Sequence, residues 1–204
     1  MANPDYERAL SRSDLSQWVV HFVRCTSVIS PGRISGSAEI LDSIFKEGLI
    51  RPSQSDFIKK YCAEGAACFY DAPPSSWKEI IETNPNGRQP IGIICHKRPL
   101  WELGGRPVIY TEIDDPDYWP LAERYRIVHT NLSRSPQPID WMHEREWRVK
   151  GGLRLYQAIM NYPWWWPIVP NDDWMNYLWQ QYPEISSIYV MCRNGVSMRP
   201  AAIC

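Results

Sequence analysis

Apolar residues along this chain fall into short clusters cut repeatedly by proline and glycine, and the spacing inside each cluster sets its element. "WVVHFVR", from Trp18 to Arg24, is β-branched and aromatic, which predicts a buried strand with His21 in its middle. "SAEILDSIFKEGLI" puts Ile40, Leu41, Ile44 and Phe45 on one helical face, with Ser37 as cap and Gly48 as stop. A second, short helix is expected over "SDFIKKYCAEG", where Phe57, Ile58, Tyr61 and Cys62 share a face, and a strand around Ala67 to Tyr70. Ser76 and Glu79 have capping-box spacing and open another helix.

Further along, "PIGIICHKRPLW" and "RPVIYTEI" predict two more strands, separated by a tight turn at Gly104-Gly105. "PDYWPLAERYRIV" predicts a short helix running into an extended segment, and "DWMHEREWRV", residues 140 to 149, a further strand. "NDDWMNYLWQQYP" predicts an amphipathic helix capped by Asn171 or Asp172, with Trp174, Leu178, Trp179 and Tyr182 inward and Pro183 at its end. "ISSIYVMC" predicts the last strand. Roughly six or seven strands alternating irregularly with four or five helices favour an α+β fold over a doubly wound parallel sheet.

The length of 204 residues suits one domain, 1–204, in which residues 1 to 15 are polar and aperiodic and read as an arm. The 18 prolines fit many short elements joined by fixed turns. Lysine plus arginine (22) nearly balance aspartate plus glutamate (23), so no long-range field announces a nucleic-acid or membrane partner, although a local basic groove stays open. No apolar run approaches the roughly 20 residues that cross a bilayer. The six cysteines show neither CxxC nor paired zinc spacing, so a soluble, cytoplasmic, reduced protein is expected. Without GxGxxG, GxxxxGK[ST] or GxSxG, dinucleotide binding on a Rossmann sheet, P-loop chemistry and an α/β-hydrolase elbow lack their signatures. "NYPWWWPIVPNDDW" could be a base-stacking platform, but three successive rings cannot all face one way, and core packing with one exposed ring is the simpler expectation.

The densest chemistry lies in "DWMHEREWRV". On a strand, side chains at i and i+2 share a face, which would place Glu144 and Glu146 together and turn His143, Arg145 and Trp147 the other way. Adjacent carboxylates repel unless a cation or a reacting ligand uses them; Arg145, Arg148 or another arginine pairing with them at a solvated edge is the plainer alternative. Asp140, His143, Glu144 and Glu146 are also metal-ligand types. The spacing is neither HExxH nor the D…ExK of many nucleases, because Trp147 and Arg148 stand where the second histidine and the lysine belong. No metal is therefore expected, and a metal-dependent nuclease or hydrolase using Asp140, His143 and Glu144 is kept as an alternative. His21 is either a satisfied core residue or, with Arg24 at the strand's end, part of an anion-binding site.

The order of "VVHFVR", "ILDSIFKEGLIRPS", "CFYDAP" and "HEREWRV" resembles the ADP-ribosyltransferase-like superfamily of the His-Tyr-Glu type, over residues 18 to 150. Within it the chain looks most like bacterial DarT-type toxins and related phage-defence or toxin-antitoxin proteins. The resemblance implies split mixed β-sheets with flanking short helices. It implies an NAD-dependent transferase that moves ADP-ribose to a nucleic-acid or protein acceptor, in a toxin or defence setting with an antitoxin or immunity partner. It implies that Glu146 stabilises the positive charge that develops on the ribose as nicotinamide leaves, and that Glu144 positions or deprotonates the acceptor. It further implies His21 on the adenosine-side ribose, Tyr70 stacked on nicotinamide, and Arg24 or Arg51 on the pyrophosphate. The chain departs from the superfamily in lacking a distinct serine-threonine-serine element beside its second strand. A non-catalytic binding module of the same fold, with the tryptophan-rich segment as its partner surface, is the remaining alternative.

Overall fold

A computed structural model describes residues 16–24, 37–82, 88–156, 163–192 and 195–200, so the expected arm at residues 1 to 15 lies outside the described residues. In chain order the elements are β1 (Trp18–Arg24), α1 (Ser37–Glu47), β2 (Leu49–Ile50), α2 (Asp56–Lys59), β3 (Ala66–Tyr70), α3 (Trp77–Glu82), β4 (Arg88–His96) and α4 (Lys97–Glu102). They continue with β5 (Arg106–Pro107), β6 (Ile109–Thr111), β7 (Ile127–His129), β8 (Glu146–Lys150), β9 (Leu153–Arg154), β10 (Trp165–Val169), α5 (Asp172–Gln181), β11 (Ser187–Cys192) and β12 (Gly195–Pro200).

Eight strands form one mixed sheet in the order β12-β11-β10-β4-β1-β3-β8-β5, and β2-β9 and β6-β7 make two small sheets beside it. The fold is thus the expected α+β. Within the large sheet only β10 and β11 run parallel, joined by the α5 crossover, and the other neighbours are antiparallel. Alternation along the central strands sends apolar side chains to both faces. Val19, Val23, Ile91, Ile93 and Phe69 meet Leu41, Phe45 and Leu178 from α1 and α5 on one face. Val20, Phe22, Ile94 and Ile168 meet Trp77 of α3 on the other.

The Tyr177 hydroxyl of α5 and the hydroxyl of Tyr182, the residue that follows that helix, each donate to Asp42 of α1 at 3.0 Å, tying together the two helices that cover one face. Gly92 of β4 lies opposite Phe22, where a Cβ would stand 2.0 Å from the His21 carbonyl oxygen, so only glycine lets β4 lie this close to β1.

Several elements differ from expectation. "PIGIICHKRPLW" stops being a strand at His96, whose ring accepts from the Arg98 N–H at 3.3 Å and caps α4; Pro99 is tolerated in that first turn because its missing N–H has no helical partner there. The helix in "SDFIKKYCAEG" covers only Asp56–Lys59. "PDYWPLAERYRIV" forms two 3-10 turns, Pro116–Tyr118 and Arg124–Arg126, before β7. The tryptophan-rich segment is a central strand, β10, despite Pro167; Trp164 is buried, and Trp165 and Trp166 are half-buried rather than displayed as a platform. Asn171 caps α5 by accepting from the Trp174 N–H at 3.1 Å. Among the described residues no helix is long and apolar enough to cross a membrane.

Candidate active site

Pairing within the large sheet changes abruptly at β1. Toward β4 the ladder is continuous from Trp18 opposite His96 to Phe22 opposite Gly92, whereas toward β3 a single pair, Val20 opposite Tyr70, is formed. Beyond that pair the strands separate, and a ring nitrogen replaces the missing ladder: His21 Nδ1 lies 2.9 Å from the Cys68 carbonyl oxygen. A carbonyl only accepts, so Nδ1 carries the proton.

A cleft of about 520 Å³ follows this separation, lined by His21, Phe22 and Val23 from β1 and by Cys68 and Tyr70 from β3. Its remaining wall comes from β8. Tyr70 stands directly opposite Glu146, and Cys68 opposite Arg148, so these four side chains share one face of the antiparallel pair. Ala67, Phe69 and Val149 alternate to the other face and enter the core.

Glu146 is 8 % exposed and Arg148 2 %. Arg148 donates through Nε and Nη2 to the two oxygens of Glu146, both at 3.0 Å, and through Nη1 to the Tyr125 and Ile127 carbonyls at 3.2 and 3.0 Å. Burial opposes the charge of Arg148, but the Glu146 carboxylate beside it holds the guanidinium above its ordinary pKa. The expected carboxylate–arginine pairing therefore exists, yet it is buried in the cleft wall rather than spread on a solvated edge.

Glu144 reaches the cleft by a different route from the one expected. The strand begins only at Glu146; Met142–Glu144 is a 3-10 turn, and Arg145 adopts a left-handed conformation, φ 45° and ψ 48°. Strand alternation therefore does not set Glu144 on the face of Glu146, and the turn carries it to the same cleft instead. Glu144 Oε1 accepts from the Tyr70 hydroxyl at 3.0 Å. The backbone N–H of Glu146 donates to the Tyr110 hydroxyl at 3.0 Å. Burial above all, with the charges of Glu146 and Glu144 behind it, pushes Tyr110 up to about 12, while the Glu146 N–H pulls the other way. Both carboxylates thus act on one phenol.

The residues singled out from the sequence divide clearly. His21, Arg51, Tyr70, Glu144 and Glu146 all line the cleft. Arg24 ends β1 opposite Arg88, and its side chain lies outside the described residues. Arg51 sits at the mouth and donates through Nε and Nη2 to Glu47 at 2.9 and 2.5 Å. Tyr70 is buried with its ring 6.0 Å from that of Phe22, and it is the Tyr70 hydroxyl that meets Glu144. His143 is exposed, and Asp140 accepts from the Met142 N–H at 2.9 Å.

Sequence reasoning missed the rim. Phe57 and Trp141, each 39 % exposed, and Ile40, 40 % exposed, line the cleft together, so Ile40 faces the opening rather than the core expected for it. Large apolar groups left exposed around a concavity are a mark of ligand sites. Among the described residues no three histidine, cysteine, aspartate or glutamate side chains gather as metal ligands.

No protein-family model, no curated protein and no solved structure matches the chain.

Proposed function

We propose that the cleft binds NAD and that the chain is an ADP-ribosyltransferase acting on a nucleic-acid or protein acceptor. The observation that carries this reading is the convergence of His21, Tyr70, Glu144 and Glu146, from three separated segments, on one cleft. Its volume of about 520 Å³ lies within the range of cofactor-sized sites. Arg51, Ser53, Ser55 and Phe57 also line the cleft, a mixture suited to a ligand with anionic and planar parts.

NAD supplies a glycosidic bond whose cleavage expels nicotinamide with the bonding electron pair and leaves positive charge on the ribose. Glu146 accepts from a ribose hydroxyl and offsets that charge from a fixed position. An acceptor N–H or O–H group forms the new bond to the ribose carbon, and its proton passes to the Glu144 carboxylate. Tyr70 orients Glu144 through its hydroxyl, and His21, tied to the Cys68 carbonyl, meets the adenosine-side ribose, a role that rests on the sequence resemblance. Phe57 and Trp141 offer the stacking surfaces at the rim. A role as a toxin or defence effector held by an antitoxin or immunity partner rests on the sequence resemblance.

Incubation with NAD labelled in its adenylate half, together with single-stranded and duplex nucleic acids and a cell lysate, tests the reading. Label carried on a macromolecule with the mass of ADP-ribose is expected. Label that stays entirely in intact NAD would contradict transfer.

A further inference from the structure

We infer that Arg148 is a positioning residue, which fixes the plane of the Glu146 carboxylate as an oriented acceptor and leaves proton transfer to Glu144. The inference rests on the NAD reading above and assigns a division of labour within that site.

Four of its hydrogen bonds set the place of Arg148. Two run side by side to the oxygens of Glu146, and two run to the Tyr125 and Ile127 carbonyls, so the guanidinium cannot follow the carboxylate if it rotates. A fork-to-fork pair sets the plane of a carboxylate as well as its distance. The main chain of Glu146 is held equally firmly: its N–H donates to the Tyr110 hydroxyl at 3.0 Å, and its carbonyl accepts from the Val108 N–H at 2.9 Å. Neither end of the residue has freedom to reorient.

This geometry suits one task and not the other. A carboxylate has about four lone-pair sites and Arg148 occupies two, so acceptor capacity remains for a ribose hydroxyl in the cleft that Glu146 lines. Arg148 already uses one lone pair on each oxygen of Glu146, so that carboxylate is committed to accepting hydrogen bonds and the acceptor's proton falls to a carboxylate outside the pair. Glu144, the other carboxylate lining the cleft, sits in a turn, is half-buried and accepts from the Tyr70 hydroxyl, and on this assignment it takes the acceptor's proton. A lysine at 148 would keep a positive charge but would present a point charge rather than a planar fork.

The test compares wild type, R148K and the double variant R148K with E146Q for nicotinamide release from NAD, with the thermal unfolding midpoint of each. R148K is expected to be folded at the assay temperature, to keep KM for NAD within about twofold, and to lose kcat by about 100-fold, the scale of a small misplacement of a reacting group. Adding E146Q to R148K is expected to cost little more, because the two act as one unit. A folded R148K with wild-type kcat, a rise in KM alone, or a full additional loss in the double variant overturns the inference. An R148K chain unfolded at the assay temperature assigns Arg148 to the fold alone and overturns it too. Absence of nicotinamide release by the wild type is a distinct outcome, which removes the NAD reading and this inference with it.

Discussion

His21 Nδ1 and the Cys68 carbonyl oxygen, 2.9 Å apart and 47 positions distant in sequence, bridge the two strands between which the cleft opens. Behind that bridge, Gly92 touches the His21 main chain so closely that any side chain would displace it. Gly92→Ala is therefore expected to destabilise the chain by about 1–3 kcal/mol, the usual cost of overpacking, and to weaken NAD binding as well. Urea unfolding and an NAD titration check both parts. Loss of stability with unchanged binding would uncouple His21 from the site.

Tyr70 and Glu144 meet through one hydroxyl. Tyr70→Phe removes that hydrogen bond while keeping the ring packed on Phe22. The expected stability cost is about 1 kcal/mol. Loss of an oriented proton acceptor is expected to lower kcat roughly tenfold, equivalent to about 1.4 kcal/mol in the transition state. Steady-state kinetics of nicotinamide release would show it, and a variant as fast as wild type would remove Tyr70 from the site.

At the rim, Phe57→Ala and Trp141→Ala are expected to raise KM for NAD with kcat nearly unchanged. Stacking lost equally from bound substrate and transition state is uniform binding. About 1 kcal/mol per ring corresponds to roughly a fivefold rise. Equal KM values for both variants and wild type would place the planar parts of the ligand elsewhere.

A separate prediction concerns pH. Lys60, 2.6 Å from Asp114, and then the Tyr61 hydroxyl, which donates to it at 2.5 Å, hold the Asp114 carboxyl below its ordinary value. A folded pKa below the unfolded one, about 3.9, gives stability that is present above that value and disappears as pH falls through the folded pKa. The site is half exposed, so solvent screening keeps the contribution modest. Asp114→Asn is expected to be less stable than wild type near neutral pH and to converge with it in acid. A difference in urea midpoint that is constant with pH would contradict this.

The strands with unbroken β-branched or aromatic runs were readable: Trp18–Arg24 has the bounds expected from its sequence, and α1 ends at Glu47, before Gly48, at φ 61°. A cap at Asn171 or Asp172 announced α5 in the same way, and Asn171 is the one that caps it. β10 was not readable, because Pro163, Pro167 and Pro170 punctuate it and ladder arithmetic argues against proline in a central strand. The site was half legible. Glu144 and Glu146 reach one cleft, but the alternation that suggested it is interrupted by the left-handed Arg145, a conformation no residue type there announces. Arg148, two positions after Glu146 on the same strand face, was visible as a partner; its depth was not, since burial depends on the Tyr125 and Ile127 carbonyls contributed by a distant segment. Phe57 was readable on a helical face with Ile58, Tyr61 and Cys62 and Tyr110 within a strand, but only the tertiary fold brings them and Trp141 to the site.

The central claim is that the carboxylates at this cleft promote cleavage of the nicotinamide bond of NAD. Nicotinamide released over time, measured for wild type and for Glu146→Gln with folding of both confirmed by circular dichroism, tests it most directly. Steady release by the wild type and a fall of at least about 100-fold in the variant are expected, on the scale of removing one preorganised electrostatic group. No release by a folded wild type, or equal release by the folded variant, would contradict the account.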